Sequence, residues 1–119
     1  MSAFPFNLFG GSVVNGNIYP ASINATSAGA NTVVAAVPGK RIVVLKYKRI
    51  AAAAVTVTWE SSGGAVLDGP CALAANGGEV EPFCVSGHFS TLQSEGLVLY
   101  LSGSVQVGGN LLYTLLPFM

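Results

Sequence analysis

The residues able to do chemistry are few and scattered. His88 is the only histidine of the 119 residues, and Cys71 and Cys84 are the only cysteines. Catalysis needs a group that exchanges protons or attacks, held beside a partner that activates it. His88 sits in Ser86-Gly87-His88-Phe89, a turn pattern. A Ser-His-Asp set would have to borrow Asp68 and an unspecified serine, and no Gly-x-Ser-x-Gly elbow supports it. A lone turn histidine reads as a polar surface residue. One histidine, two cysteines and five carboxylates form no CxxC pair, no HExxH helix and no calcium loop. Glu79 and Glu81 share a strand face, but in a chain with so little charge they read as an acidic edge turned to solvent or to another subunit. Gly77-Gly78 and Gly108-Gly109 read as turn glycines, neither opening a helix that cradles phosphate. A hairpin closed at Gly77-Gly78 would set Cys71 opposite Cys84. Pro82 interrupts the ladder that register needs, so the favoured reading is two small buried side chains in a reducing compartment. The expectation is a protein that is not an enzyme, with no metal and no cofactor.

Charge is the informative feature instead. All ten formally charged side chains fall between Lys40 and Glu95. Lys40, Arg41, Lys46, Lys48 and Arg49 come first, and Glu60, Asp68, Glu79, Glu81 and Glu95 follow. Charged residues make up 8%, against roughly 25% in an average soluble domain. A chain this short buries only about two-thirds of its unfolded surface. The exposed remainder is therefore unusually apolar, and the expectation is that other protein covers it. Zero net charge argues against nucleic acid as a partner, because phosphate neutralisation needs a net basic face. Like charges side by side repel, so the basic strand is expected to find acidic partners across the sheet or across a subunit boundary. That puts Lys46, Lys48 and Arg49 forward as partner-binding residues.

No membrane span is expected. The apolar tail from Leu97 is interrupted by Ser102, Gly103, Ser104, Gln106, Gly108, Gly109 and Asn110, whereas a span needs ~20 predominantly apolar residues in one helix. The start lacks the basic region and unbroken apolar core of a secretory signal. Both ends read as parts of a protein made and used in a cytoplasm.

The elements read as β throughout. Residues 1–24 are an extended aromatic arm, too rich in Gly and Pro for a helix. Its Phe4, Phe6 and Phe9 either anchor in a neighbouring subunit or larger assembly, or fold back on their own domain. Residues 25–119 form the folded domain. Thr32 to Val37 ends at the Pro38-Gly39 turn, and Arg41 to Ile50 follows as a β-branched run. Val55, Val57 and Trp59 face one way and Thr56, Thr58 and Glu60 the other, the period-two signature of a half-buried strand. Ser61-Ser62-Gly63-Gly64 closes a hairpin, and Asp68-Gly69-Pro70 and Asn76-Gly77-Gly78 turn the chain again. Val80 to Val85, Phe89 to Leu92, Leu97 to Leu101 and Leu111 to Leu116 complete the set, with the Gly-Gly-Asn step before Leu111 read as a turn. Ala51 to Ala54 is too short for a helix and reads as a bulge or tight crossover. Short strands with a turn signal every ~8–12 residues predict one all-β domain, a β-sandwich or barrel with jelly roll included.

Several segments carry a resemblance. Asn31-Thr-Val-Val-Ala-Ala-Val-Pro-Gly-Lys-Arg-Ile-Val-Val-Leu45, Ala54-Val-Thr-Val-Thr-Trp59, Leu73-Ala-Ala-Asn-Gly-Gly78, Gly87-His-Phe-Ser-Thr91, Glu95-Gly-Leu-Val-Leu-Tyr-Leu-Ser102 and Val105-Gln-Val-Gly-Gly-Asn-Leu-Leu-Tyr113 resemble small virion structural proteins of tailed bacteriophages. The resemblance implies a jelly-roll-like β-sandwich, a homotrimer that decorates or cements the assembled head against the major capsid protein, on the capsid surface. The Phe-rich arm is not part of the pattern. The alternative is a receptor- or carbohydrate-binding fibre tip, which would expose Trp59 or Tyr100 beside Asn, Asp or Glu. A small sandwich enzyme is a third reading, and it would need His88 close to Asp68 or a glutamate in a pocket.

Overall fold

The computed structural model describes residues 17–117; Phe4, Phe6 and Phe9 lie outside them. The described chain forms nine strands: β1 (Ile18–Ala25), β2 (Gly29–Val34), β3 (Lys40–Ala51), β4 (Val55–Ser61), β5 (Val66–Leu73), β6 (Gly78–Glu81), β7 (Phe89–Ser90), β8 (Leu97–Leu101) and β9 (Val107–Pro117). Sheet A runs β1-β9-β3-β6, with β7 also pairing β3, and sheet B runs β2-β8-β4-β5. All pairings are antiparallel, and one set is nested: β1 with β9, β2 with β8, β3 with β6 and β7, and β4 with β5; β3–β9 and β4–β8 then join these pairs side by side within each sheet. The chain is a long hairpin, closed at Ser61–Gly64, wrapped so that successive pairs alternate between two sheets. That is jelly-roll connectivity in an all-β sandwich. β6 and β7 together serve as one interrupted strand, because Cys84 N–H donates to Leu45 O and His88 N–H to Val44 O between them.

Alternation decides what fills the space between the sheets. Val57, Trp59, Leu97, Leu99, Ile42, Val44 and Val107 have no exposed surface, and all belong to one apolar cluster. Trp59 packs edge-on against Tyr47, with ring centroids 5.5 Å apart. At ~1.5–3 kcal/mol per large apolar side chain buried, this cluster drives the closure of the two sheets.

Four sequence expectations are corrected. Ile18 to Asn24, assigned above to the arm, belong to the sandwich: β1 pairs β9 along its whole length from Ile18 to Ala25. Ile23 and Ala25 are buried, and Pro20 is tolerated because β1 is an edge strand. Asp68-Gly69-Pro70 does not turn the chain. It bulges inside β5, where Trp59 pairs Asp68 but Val57 pairs Cys71. Gly108 and Gly109 lie within β9, and the bend precedes them at 102–104. A Cβ on Gly109 would collide with the carbonyl of Lys48, and one on Gly78 with that of Arg49; these glycines admit close backbone approach on both sides of β3. Finally, Asn76-Gly77-Gly78 does turn the chain, from sheet B to sheet A, without closing a hairpin. Cys71 and Cys84 are unopposed and free, as the favoured reading has it, but both are half-buried where that reading put them in the core.

Candidate functional site

A cluster of ionisable side chains lies on one side of the sandwich, between the end strands β6 and β5. β3 reaches this region with Tyr47 and Arg49 on its inner face. Period-two alternation puts Arg49 on the same side as Tyr47 and opposite Lys48, and the burial follows: Arg49 is 0% exposed while Lys46 and Lys48 face solvent. Arg49 is therefore not available to a partner protein, contrary to the sequence expectation that grouped it with the two lysines. Its acidic partner does lie across the sheet, as the charge argument required. Glu79 is directly opposite in the β3–β6 register and pairs with Nη2 of Arg49. Nε and Nη1 of Arg49 have no hydrogen-bond acceptor among the described residues. The guanidinium carbon lies 5.3 Å from the Tyr47 ring centroid and 5.4 Å from that of Trp59, so two π-faces supply part of its solvation.

Tyr47 donates its hydroxyl to Asp68 Oδ2 at 3.2 Å, linking sheet A to the β5 bulge. Burial, reinforced by Glu79 and Asp68 and opposed by Arg49, pushes the phenol above its ordinary range. It stays a protonated donor at any physiological pH. Tyr47, Asp68, Cys71, Glu79, Glu81, His88 and Phe89 line a cleft of about 220 Å³. His88 is half-buried; its Nε2 lies 2.8 Å from the Pro82 carbonyl, and its ring stands edge-on to Tyr47. The structure thus brings His88, Asp68 and two glutamates to one cleft, a grouping that sequence reasoning named only as a condition of its third reading. Nothing there forms an activated nucleophile: no hydrogen bond joins His88 to a carboxylate or a serine among the described residues. No three His, Cys, Asp or Glu groups among them converge on a metal position.

The outer faces are the other candidate. Eight large hydrophobic side chains are exposed among the described residues, including Ile50 at 58%, Val66 at 58%, Val80 at 69% and Leu92 at 52%. Ile50, Val80, Lys46 and Lys48 share the outer face of sheet A, with Val80 opposite Lys48. On sheet B the outer face carries Tyr100 between Ala30 and Thr58, its cross-strand neighbours. Trp59 lies in the core, which counts against a ring-lined glycan site. Tyr100 is exposed beside small and hydroxyl residues, with no Asn, Asp or Glu directly opposite it.

No family model, curated protein or solved structure matches the chain. No helix among the described residues is long and apolar enough to cross a membrane.

Proposed function

We propose that the chain is a structural protein of a tailed-bacteriophage virion, a decoration or cement protein that assembles as a homotrimer on the capsid surface and stabilises the head. The observation that carries this reading is the surface: eight large hydrophobic side chains exposed on a domain with only ten charges. With so little charge to solvate the surface, covering these side chains with protein is the direct use for them. The edge strands narrow how the covering protein can attach. β6 turns Glu79 and Glu81 inward, β5 bulges at Gly69-Pro70, and β1 carries Pro20. Inward charge, bulges and proline are the features that block strand addition at a sheet edge. The fourth edge, β2, carries its own bulge at Thr32–Val34, so association uses faces and side chains. The mechanism is mechanical: each copy buries apolar area against several shell subunits, and simultaneous contacts add avidity. A stable interface of ordinary size buries ~800 Å² per partner.

The test is binding to emptied capsids, with occupancy read against the major capsid protein by mass spectrometry. Full-length protein should occupy a fixed fraction of shell sites. A chain lacking residues 1–16 should keep the fold and lose occupancy, because Phe4, Phe6 and Phe9 are the anchors in this reading. Absence of the full-length protein from purified virions and failure to bind capsids would overturn it.

A further inference from the structure

Two patches of the described surface carry opposite charge in excess of their ion pairs: two lysines on one, and three carboxylates with a single ion pair on the other. Lys46 and Lys48 project from the outer face of sheet A, and the Arg49–Glu79 pair is the only ion pair among the described residues, so neither lysine has a carboxylate within reach. Beside them stand Ile50 and Val80, 58% and 69% exposed. The patch is two ammonium groups on an apolar floor. Around the edge of β6 lies the cleft lined by Asp68, Glu79 and Glu81, of which only Glu79 has an ion-pair partner, Arg49. Glu81 has neither an ion pair nor a side-chain hydrogen bond among the described residues. The remaining polar groups there are mostly acceptors. His88 Nε2, 2.8 Å from a carbonyl oxygen, must carry the ring proton, which leaves Nδ1 an acceptor in the neutral imidazole.

The cleft therefore fits a ligand that brings positive charge and N–H donors. A metal ion does not fit, because no three ligating groups converge among the described residues. A lysine ammonium does fit: it carries three donors on a flexible stem and needs only one or two carboxylates. Lysines of the required kind, unpaired and set on apolar surface, are present on the same molecule. We infer that the Lys46–Lys48 face of one copy docks on the Asp68–Glu79–Glu81 cleft of a second copy. The inference rests on the assembly reading above and names the contact that builds the oligomer. Joined head-to-tail, one patch of each copy on the other patch of the next, the contact repeats until the rotation closes a ring, the arrangement a homotrimer requires. Ile50 and Val80 contribute the apolar area, and the charges fix register and partner.

Sedimentation of the full chain at roughly 0.05 M and 0.5 M salt tests it, with Lys48→Glu, Glu81→Lys and the double variant. Lys48 is exposed and Glu81 lies on an edge strand, so all three should keep the wild-type circular dichroism spectrum, and any fall in melting temperature should be confined to what weaker association removes. Each single reversal should weaken self-association by about tenfold or more. The double variant restores opposite signs across the contact and should return within a few-fold of wild type. Higher salt should weaken wild type and double variant alike. Wild-type association that neither reversal changes would overturn the contact while leaving the assembly reading in place. Single reversals that weaken association without rescue by the double would also overturn it, because the two patches would then not meet. A wild-type chain that sediments as a monomer at every concentration would remove the self-assembly reading, and this contact with it.

Discussion

Replacing Glu79 with alanine isolates the one ion pair among the described residues. Arg49 has no exposed surface, and Glu79 keeps 27% of its side-chain surface in water. The guanidinium has no other counter-charge, and its Nε and Nη1 lack acceptors. Removing one partner of a fully buried pair costs about 3–5 kcal/mol. Here water can follow through the space Glu79 vacates, and the Tyr47 and Trp59 rings still contribute roughly 0.5–1 kcal/mol each. The expected loss for Glu79→Ala is therefore about 2–3 kcal/mol, or a drop of roughly 10 °C in Tm for a domain of this size. Arg49→Met tests the opposite side of the same argument. It removes the charge that must be desolvated, keeps comparable volume, and leaves Glu79 free to turn to water at the sheet edge. Its expected cost is below about 1.5 kcal/mol. Urea unfolding followed by the fluorescence of Trp59, the single tryptophan, measures both, at matched protein concentration because association adds apparent stability. An Arg49→Met loss equal to or larger than that of Glu79→Ala would refute the reasoning. So would a Glu79→Ala loss under about 0.5 kcal/mol.

Gly109→Ala should destabilise severely, because its Cβ meets the Lys48 carbonyl in the middle of sheet A; Gly103→Ala, with open space around it, serves as the control, and comparable melting of the two variants would contradict the close-approach argument. The Ser86 hydroxyl holds the Cys84 thiol below its ordinary pKa, so brief alkylation near neutral pH should label Cys84 before Cys71, and peptide mapping that finds the reverse order would contradict it. The Ser61 hydroxyl and the Gly63 N–H hold the Glu95 carboxyl below the usual carboxylate range. A folded pKa lower than the unfolded one means stability that is present above the unfolded value and lost as pH falls through the folded one. Glu95→Gln should therefore flatten the acid limb of a stability–pH curve, and an unchanged slope there would count against these hydrogen bonds.

The parts of the fold legible in the sequence are those governed by local rules. The Val55–Val57–Trp59 alternation, the Ser61–Gly64 hairpin and the Leu97–Leu101 strand each follow from period two and turn chemistry, and each is found in place. Gly108-Gly109 and Asp68-Gly69-Pro70 misled because a turn and a bulged or closely approached strand draw on the same residues; only the position of β3 and β4 beside them separates the two cases. Arg49 was legible by parity alone, since it falls on the Tyr47 side of its strand, but grouping it by charge type set it with the lysines. The cleft was not legible. Tyr47, Asp68, Glu79 and Phe89 come from four strands in two sheets, and nothing short of the jelly-roll pairing brings them together.

On the proposed reading this charge-poor sandwich works by being covered by copies of itself and by other protein. Light scattering of the purified full-length chain across a micromolar concentration series tests this most directly. The expected result is a stable particle with three times the mass of the 12.1 kDa chain. A particle of single-chain mass throughout the series would contradict it.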